Sequence, residues 1–305
     1  MTAISAFVSG LGAVLRAPLT VVAAVVLTFA TAIPLAVVMG DRIEHALNDQ
    51  PPIVLGSEEI DADWWLEFRR HAEGLEATFT PAIIGFAAPL STLSAVLDGD
   101  LPATVMLGPI AVAVIAWSFL WGVGIERFRR DGSRRAGDLV RAGLTSLPRF
   151  AGIAVVAAMA QLALYLTIHK LLFVVVFPLV TEGMANEAGA FMVRVALYAV
   201  FGIFVAMVTM IADYARIASA LRDSAGGAAF VRANWGRAFS LVVIVTLTLL
   251  ALVVIYGVGE AYGGSRVAGW RGVVIGQAFV ILRIAMRLVT IASEVRLFER
   301  YSRSY

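Results

Sequence analysis

The chain contains no cysteine and a single lysine, Lys170. Without cysteine there is no disulfide, no thiolate nucleophile and no Cys-ligated zinc or iron–sulfur site. The three histidines, His45, His71 and His169, are too far apart in sequence to suggest a metal cluster. Charge is scarce as well: charged residues make up 15% of the 305, against roughly 25% in a soluble domain. The sequence holds no phosphate-binding loop, HExxH pair, serine-nucleophile elbow or dinucleotide fingerprint. What is abundant is apolar. Hydrophobic residues make up 60% of the chain, and mean hydropathy is +0.86. These residues gather in long runs, which points to a membrane protein and away from a disordered chain, a coiled coil, a nucleic-acid-binding domain or a soluble enzyme. The arginine-for-lysine bias is global, so it says little about any one site.

Five apolar runs are long enough to cross a hydrocarbon core of about 30 Å: 19–39, 103–125, 190–212, 239–259 and 271–292. A sixth run, 150–180, carries His169 and Lys170 near its outer third. It is either one tilted helix or a span to Thr167 followed by an interfacial piece. No basic stretch precedes the first apolar residues, so 19–39 is expected to be a retained span, not a cleaved signal. The segment 78–97 is apolar but short, and Pro81 and Pro89 interrupt it. It can span, re-enter or lie in the interface.

Arginine distribution decides between these choices. Residues 126–149 carry seven arginines, 213–237 carry four, and the tail from Glu294 carries Arg296, Arg300 and Arg303. The stretch 41–101 has twelve acids against Arg42, Arg69 and Arg70. Positive-inside sorting places the arginine-rich stretches in the cytoplasm and 41–101 outside. One crossing then lies between 102 and 126, so 81–97 is expected to be re-entrant or interfacial. The expectation is an all-α, six-span bundle, N-in and C-in, forming a single integral membrane domain over 1–305 with an external acidic insert at 41–101.

The odd-numbered spans open alike, at Arg16, Arg149 and Arg237, and the even-numbered ones close alike, in GVGIERF, MIADYAR and IASEVRLFER. Before two odd spans stand LVRAG (139–143) and FVRAN (230–234), and the N-terminus has Phe7, Val8, Leu11, Val14 and Leu15 on one helical side. This pattern fits three parallel repeats of interfacial helix, span out and span back. Mitochondrial carriers share that count of repeats, but their proline–acid–basic signature is absent here.

Six residues at the span ends, Glu126, Arg127, Asp213, Arg216, Glu294 and Arg296, form a candidate cytoplasmic ion-pair network. Pairing that fixes helix depth is the simpler role, and a gate is the sharper one. Arg283 and Arg287 lie four apart on the last span, and Arg283 falls near mid-membrane, where an arginine should face the interior or a polar cavity. Arg283, Arg287, Gln277 and Gln161 are therefore the candidate substrate or lipid contacts, with Tyr165 and Thr209 as further interior partners. His169, Lys170 and Arg194 read as outer-interface residues. Gly272 and Gly276 read as a close-packing pair.

Outside, GSEEIDADWWLEFRRHAEGLEATF reads as an amphipathic helix capped by Ser57 or Asp61, with Trp64, Trp65, Phe68, Leu75 and Phe79 toward the outer leaflet. Glu58, Glu59, Asp61 and Asp63 lack calcium-loop spacing and read as a solvated face. No metal or cofactor is expected.

The phrase Ala212-Asp213-Tyr214-Ala215-Arg216 after a span, followed by Phe230–Asn234, resembles uncharacterised bacterial six-helix integral membrane proteins from about residue 100 onward. The resemblance implies topology and no activity. The functional expectation is a non-catalytic inner-membrane protein that scaffolds, organises lipid or regulates a partner. The alternative is a permease for a small or lipidic anion, with Arg283 in an embedded cavity. Expected partners are membrane lipids, with anionic headgroups at the cytoplasmic loops, and a second copy or another membrane protein; nucleic acid is not among them.

Overall fold

The computed structural model describes residues 2–49, 62–72, 103–130, 132, 135–184, 186–223, 226–263 and 270–302. These are all helical or connecting. In chain order the helices are α1 (Ala3–Leu15), α2 (Pro18–Asp49), α3 (Ala62–His71), α4 (Ala103–Phe128), α5 (Ala136–Thr181), α6 (Glu187–Leu221), α7 (Gly226–Ala233), α8 (Trp235–Gly263) and α9 (Trp270–Ser302). Six of them (α2, α4, α5, α6, α8 and α9) are long and apolar enough to cross a membrane. The segment 78–97 lies outside the described residues.

Local chemistry sets the helix ends. Thr2 caps α1 by accepting the Ser5 amide at 3.2 Å, and Asn186 caps α6 by accepting that of Ala188 at 3.0 Å. Pro18 occupies the first position of α2, where a missing N–H costs nothing. Arg222 ends α6 in the left-handed conformation, at φ 54°. The Arg149 guanidinium donates to the Ser219 carbonyl at 3.2 Å, a cation at a helix C-terminus.

The run 150–180 resolves as one continuous helical body, of which α5 is the whole. No interfacial piece branches off at Thr167. Between Tyr165 and Val176 the turns widen to π-helix. Mixing α and π turns brings residues four apart nearly into line. Tyr165, His169 and Phe173 accordingly stack at 4.5 and 4.6 Å. His169 meets Phe201 edge-on at 5.2 Å, and Phe173 meets Tyr198 at 4.3 Å, both on α6. Arg194 lies 4.8 Å above the Phe177 ring. His169 thus belongs to an aromatic seam between α5 and α6.

The chain divides into two compact units. The first is Met1–Ala17, Trp117–Thr246 and Leu288–Tyr305; the second is Pro18–Ala116 and Leu247–Arg287. The first holds most of the buried side chains, among them Trp121, Phe150, Tyr214, Leu241, Ile291 and Phe298. In the second, Tyr256 stacks on Phe279 at 4.5 Å, and Gly276 lies against the Tyr256 hydroxyl. There α3 covers the described part of the external amphipathic segment, with Ala72 following it outside the helix. Ser57, Asp61, Leu75 and Phe79 lie outside the described residues.

Candidate functional site at the helix ends

Within the first unit, the ends of α4, α6 and α9 carry charge into a buried setting. Arg216 donates to Asp213 at 2.5 Å, with side chains 10% and 2% exposed, and its guanidinium lies 5.2 Å above the Trp121 ring of α4. The spacing of three on α6 presents both groups on one face. A buried carboxylate is tolerated only with such a partner. Between them in sequence, Tyr214 packs its ring against Phe230 of α7 at 4.9 Å and Phe298 of α9 at 6.4 Å. Phe230 and Phe298 meet at 4.6 Å, which closes an aromatic triangle. The Tyr214 hydroxyl is buried without a hydrogen-bond partner among the described residues and stands in the field of the Glu294 and Asp213 carboxylates. Glu294 is itself buried.

The other end groups differ. Glu126 pairs with Arg129 at 3.1 Å, half-exposed. The step of three keeps the two side chains on one helix face. Arg296 donates to the Ser9 hydroxyl of α1 at 3.0 Å. Glu299 accepts the Arg130 amide on both carboxylate oxygens at 3.2 Å, fastening the chain that leaves α4 to α9. Asn234 is buried where α7 meets α8 and accepts from Arg237 at 3.3 Å.

Three glycines bring the short helical segments against span ends. Gly10 of α1 rests on Ser293 of α9, where a Cβ would collide with the serine side chain and backbone. Gly143, near the start of α5, faces Phe119 of α4, where a Cβ would fall 2.6 Å from the ring; the facing Gly122 would meet the Gly143 Cα at 2.8 Å. Gly227 of α7 sits on the Tyr214–Ala215 backbone of α6. Each joint needs a residue without a side chain.

The other candidates are dispersed. Gln161 donates to Thr209 at 3.1 Å within the α5–α6 seam. Arg283 and Gln277 are exposed on α9, and Arg287 is half-buried. Burial on α9 is graded along its length: Ile281 and Leu282 beside Arg283 are exposed, whereas Ile291 to Val295 are buried. Among the described residues no group of three acids or histidines could hold a metal ion.

Sequence inspection missed Trp121 as the surface under Arg216, the Glu299 clamp, Ser9 and the glycine joints. Gly143 was visible as the last residue of LVRAG, and its counterpart in FVRAN, Asn234, is buried too. The chain matches no protein-family model, no curated protein and no solved structure.

Proposed function

We propose that this chain is a non-catalytic, multi-pass membrane scaffold with both termini in the cytoplasm, built from three parallel repeats of short helical segment, span out and span back, the segment being continuous with the outward span in the second repeat. The observation that carries this is the set of glycine joints. Each short segment lies against the end of an even-numbered span: α1 on α9, the start of α5 on α4, and α7 on α6. The first short helix uses the last span, so the three joints follow one cyclic rule. Asp213–Arg216, Tyr214 and Glu294 are sealed among these ends, as a load-holding closure requires and as a water-filled route would not. The long apolar flanks, such as Val155, Val156 and Met159 on α5, are open and suited to lipid. The arginine-rich ends favour the cytoplasmic side of a bacterial inner membrane.

The absence of cysteine supplies the test. Ser293→Cys replaces a fully buried hydroxyl by a thiol of similar size, and Ser5→Cys places one on an exposed position of α1. In inverted membrane vesicles an impermeant maleimide should label the second and spare the first. Equal labelling would mean that the ends open to water. The second function, a permease for a small or lipidic anion, draws on Arg283, an exposed arginine within an apolar helix. It requires anion flux in proteoliposomes that Arg283→Ala abolishes.

A further inference from the structure

The three short segments each use two faces differently. On α1, Ala6, Gly10 and Val14 are buried, while Ile4, Val8 and Leu15 are exposed and Arg16 follows, exposed, at its end. At the start of α5, Gly143 is buried while Arg141 and Leu144 are exposed. On α7, Gly227 and Phe230 are buried while Arg232 is exposed, as is Trp235 just beyond. In all three the outward group lies about a third of a turn or more round from the docked group, at 3.6 residues per turn. At these helix ends Asp213, Glu294 and Glu299 are buried, whereas Asp138, three residues before Arg141, is exposed; α1 and α7 therefore present an exposed arginine with no acid on the same segment, and the start of α5 does not. Positive-inside sorting demands arginines on that side of the membrane, but it does not demand that the acids be withdrawn or that bulky apolar side chains stand beside the arginines.

A surface that pairs an exposed guanidinium with an exposed apolar side chain, with carboxylates removed, complements a molecule that carries a phosphate next to acyl chains. We propose that the outward faces of α1 and α7 bind anionic glycerophospholipids, with Arg16 and Arg232 at the phosphates and Leu15 and Trp235 among the acyl chains. The inference rests on the orientation proposed above. A free phosphate would leave the apolar groups unused, and so would an acidic protein segment.

The test uses the full-length protein in nanodiscs of phosphatidylglycerol or phosphatidylcholine at one ionic strength. Phosphatidylglycerol should raise the thermal midpoint of the wild type, and the variant Arg16→Gln/Arg232→Gln should lose that rise. Retention of the anionic lipid in native mass spectra should fall about fivefold per arginine removed, the factor expected for one basic residue at an anionic surface. Equal midpoints in the two lipids, or a rise that survives the double variant, would overturn the proposal. So would a rise reproduced in phosphatidylcholine by inorganic phosphate or polyglutamate. Orientation is read separately, by impermeant labelling of the exposed Ser5→Cys thiol. Labelling only in inverted vesicles with no lipid preference defeats the lipid proposal alone. Labelling from the outside of intact cells defeats the orientation and the lipid proposal with it.

Discussion

The end of α6 and the middle of α9 both place arginine in an apolar helix, and they handle it in opposite ways. Arg216 is buried, bonded to Asp213 at 2.5 Å and laid over Trp121. Arg283 is exposed, in a stretch where Ile281 and Leu282 are exposed too. The first arginine is part of the protein's interior and has its counter-charge within its own helix. The second must find its environment outside its helix. Depth in a hydrophobic run is therefore a poor guide to what an arginine does; the acid three residues earlier is a better one.

The contrast breaks if Arg216 turns out to be dispensable. Arg216→Ala leaves Asp213 buried without its cation and should cost about 3–5 kcal/mol, whereas Asp213→Leu/Arg216→Met, which removes both charges, should cost far less than the two single changes added. Thermal unfolding in detergent measures both. Next in size are the joints. Gly227→Ala drives a Cβ into the Tyr214–Ala215 backbone, and overpacking of this kind costs about 1–3 kcal/mol. Gly152→Ala on α5 meets no atom within 4 Å and should instead gain up to about 1 kcal/mol from helix propensity. A smaller effect separates the seam from the ends: Gln161→Leu removes the bond to Thr209, and such bonds between membrane helices average about 0.6 kcal/mol. Smallest is Glu126→Gln, because the half-exposed pair with Arg129 is worth at most about 1 kcal/mol. If Glu126→Gln were as damaging as Asp213→Asn, the distinction between buried and exposed ends would collapse.

The helical class and the spans were legible because hydropathy and length are local properties. All six apolar runs fall within helices long enough to cross. The Asp213–Arg216 pair was legible for the same reason, since both residues lie on one turn. The non-local parts were not. Glu299 meets an amide 169 positions away, and Ser9 meets Arg296 across 287. Nothing in either neighbourhood announces the other. The surroundings of Arg283 were not legible either, because burial along α9 is set by residues distant in sequence. The π-helical turns of α5 escaped because Tyr165, His169 and Phe173 at intervals of four fit an ordinary α-helix equally well.

The central claim is that the chain crosses the bilayer an even number of times with its arginine-rich connections in the cytoplasm. Topology reporters fused after Gly99 and after Ser133 bracket α4 and test it most directly. The account predicts that the Gly99 fusion reports outside and the Ser133 fusion reports the cytoplasm. Finding both on one side of the membrane would contradict it.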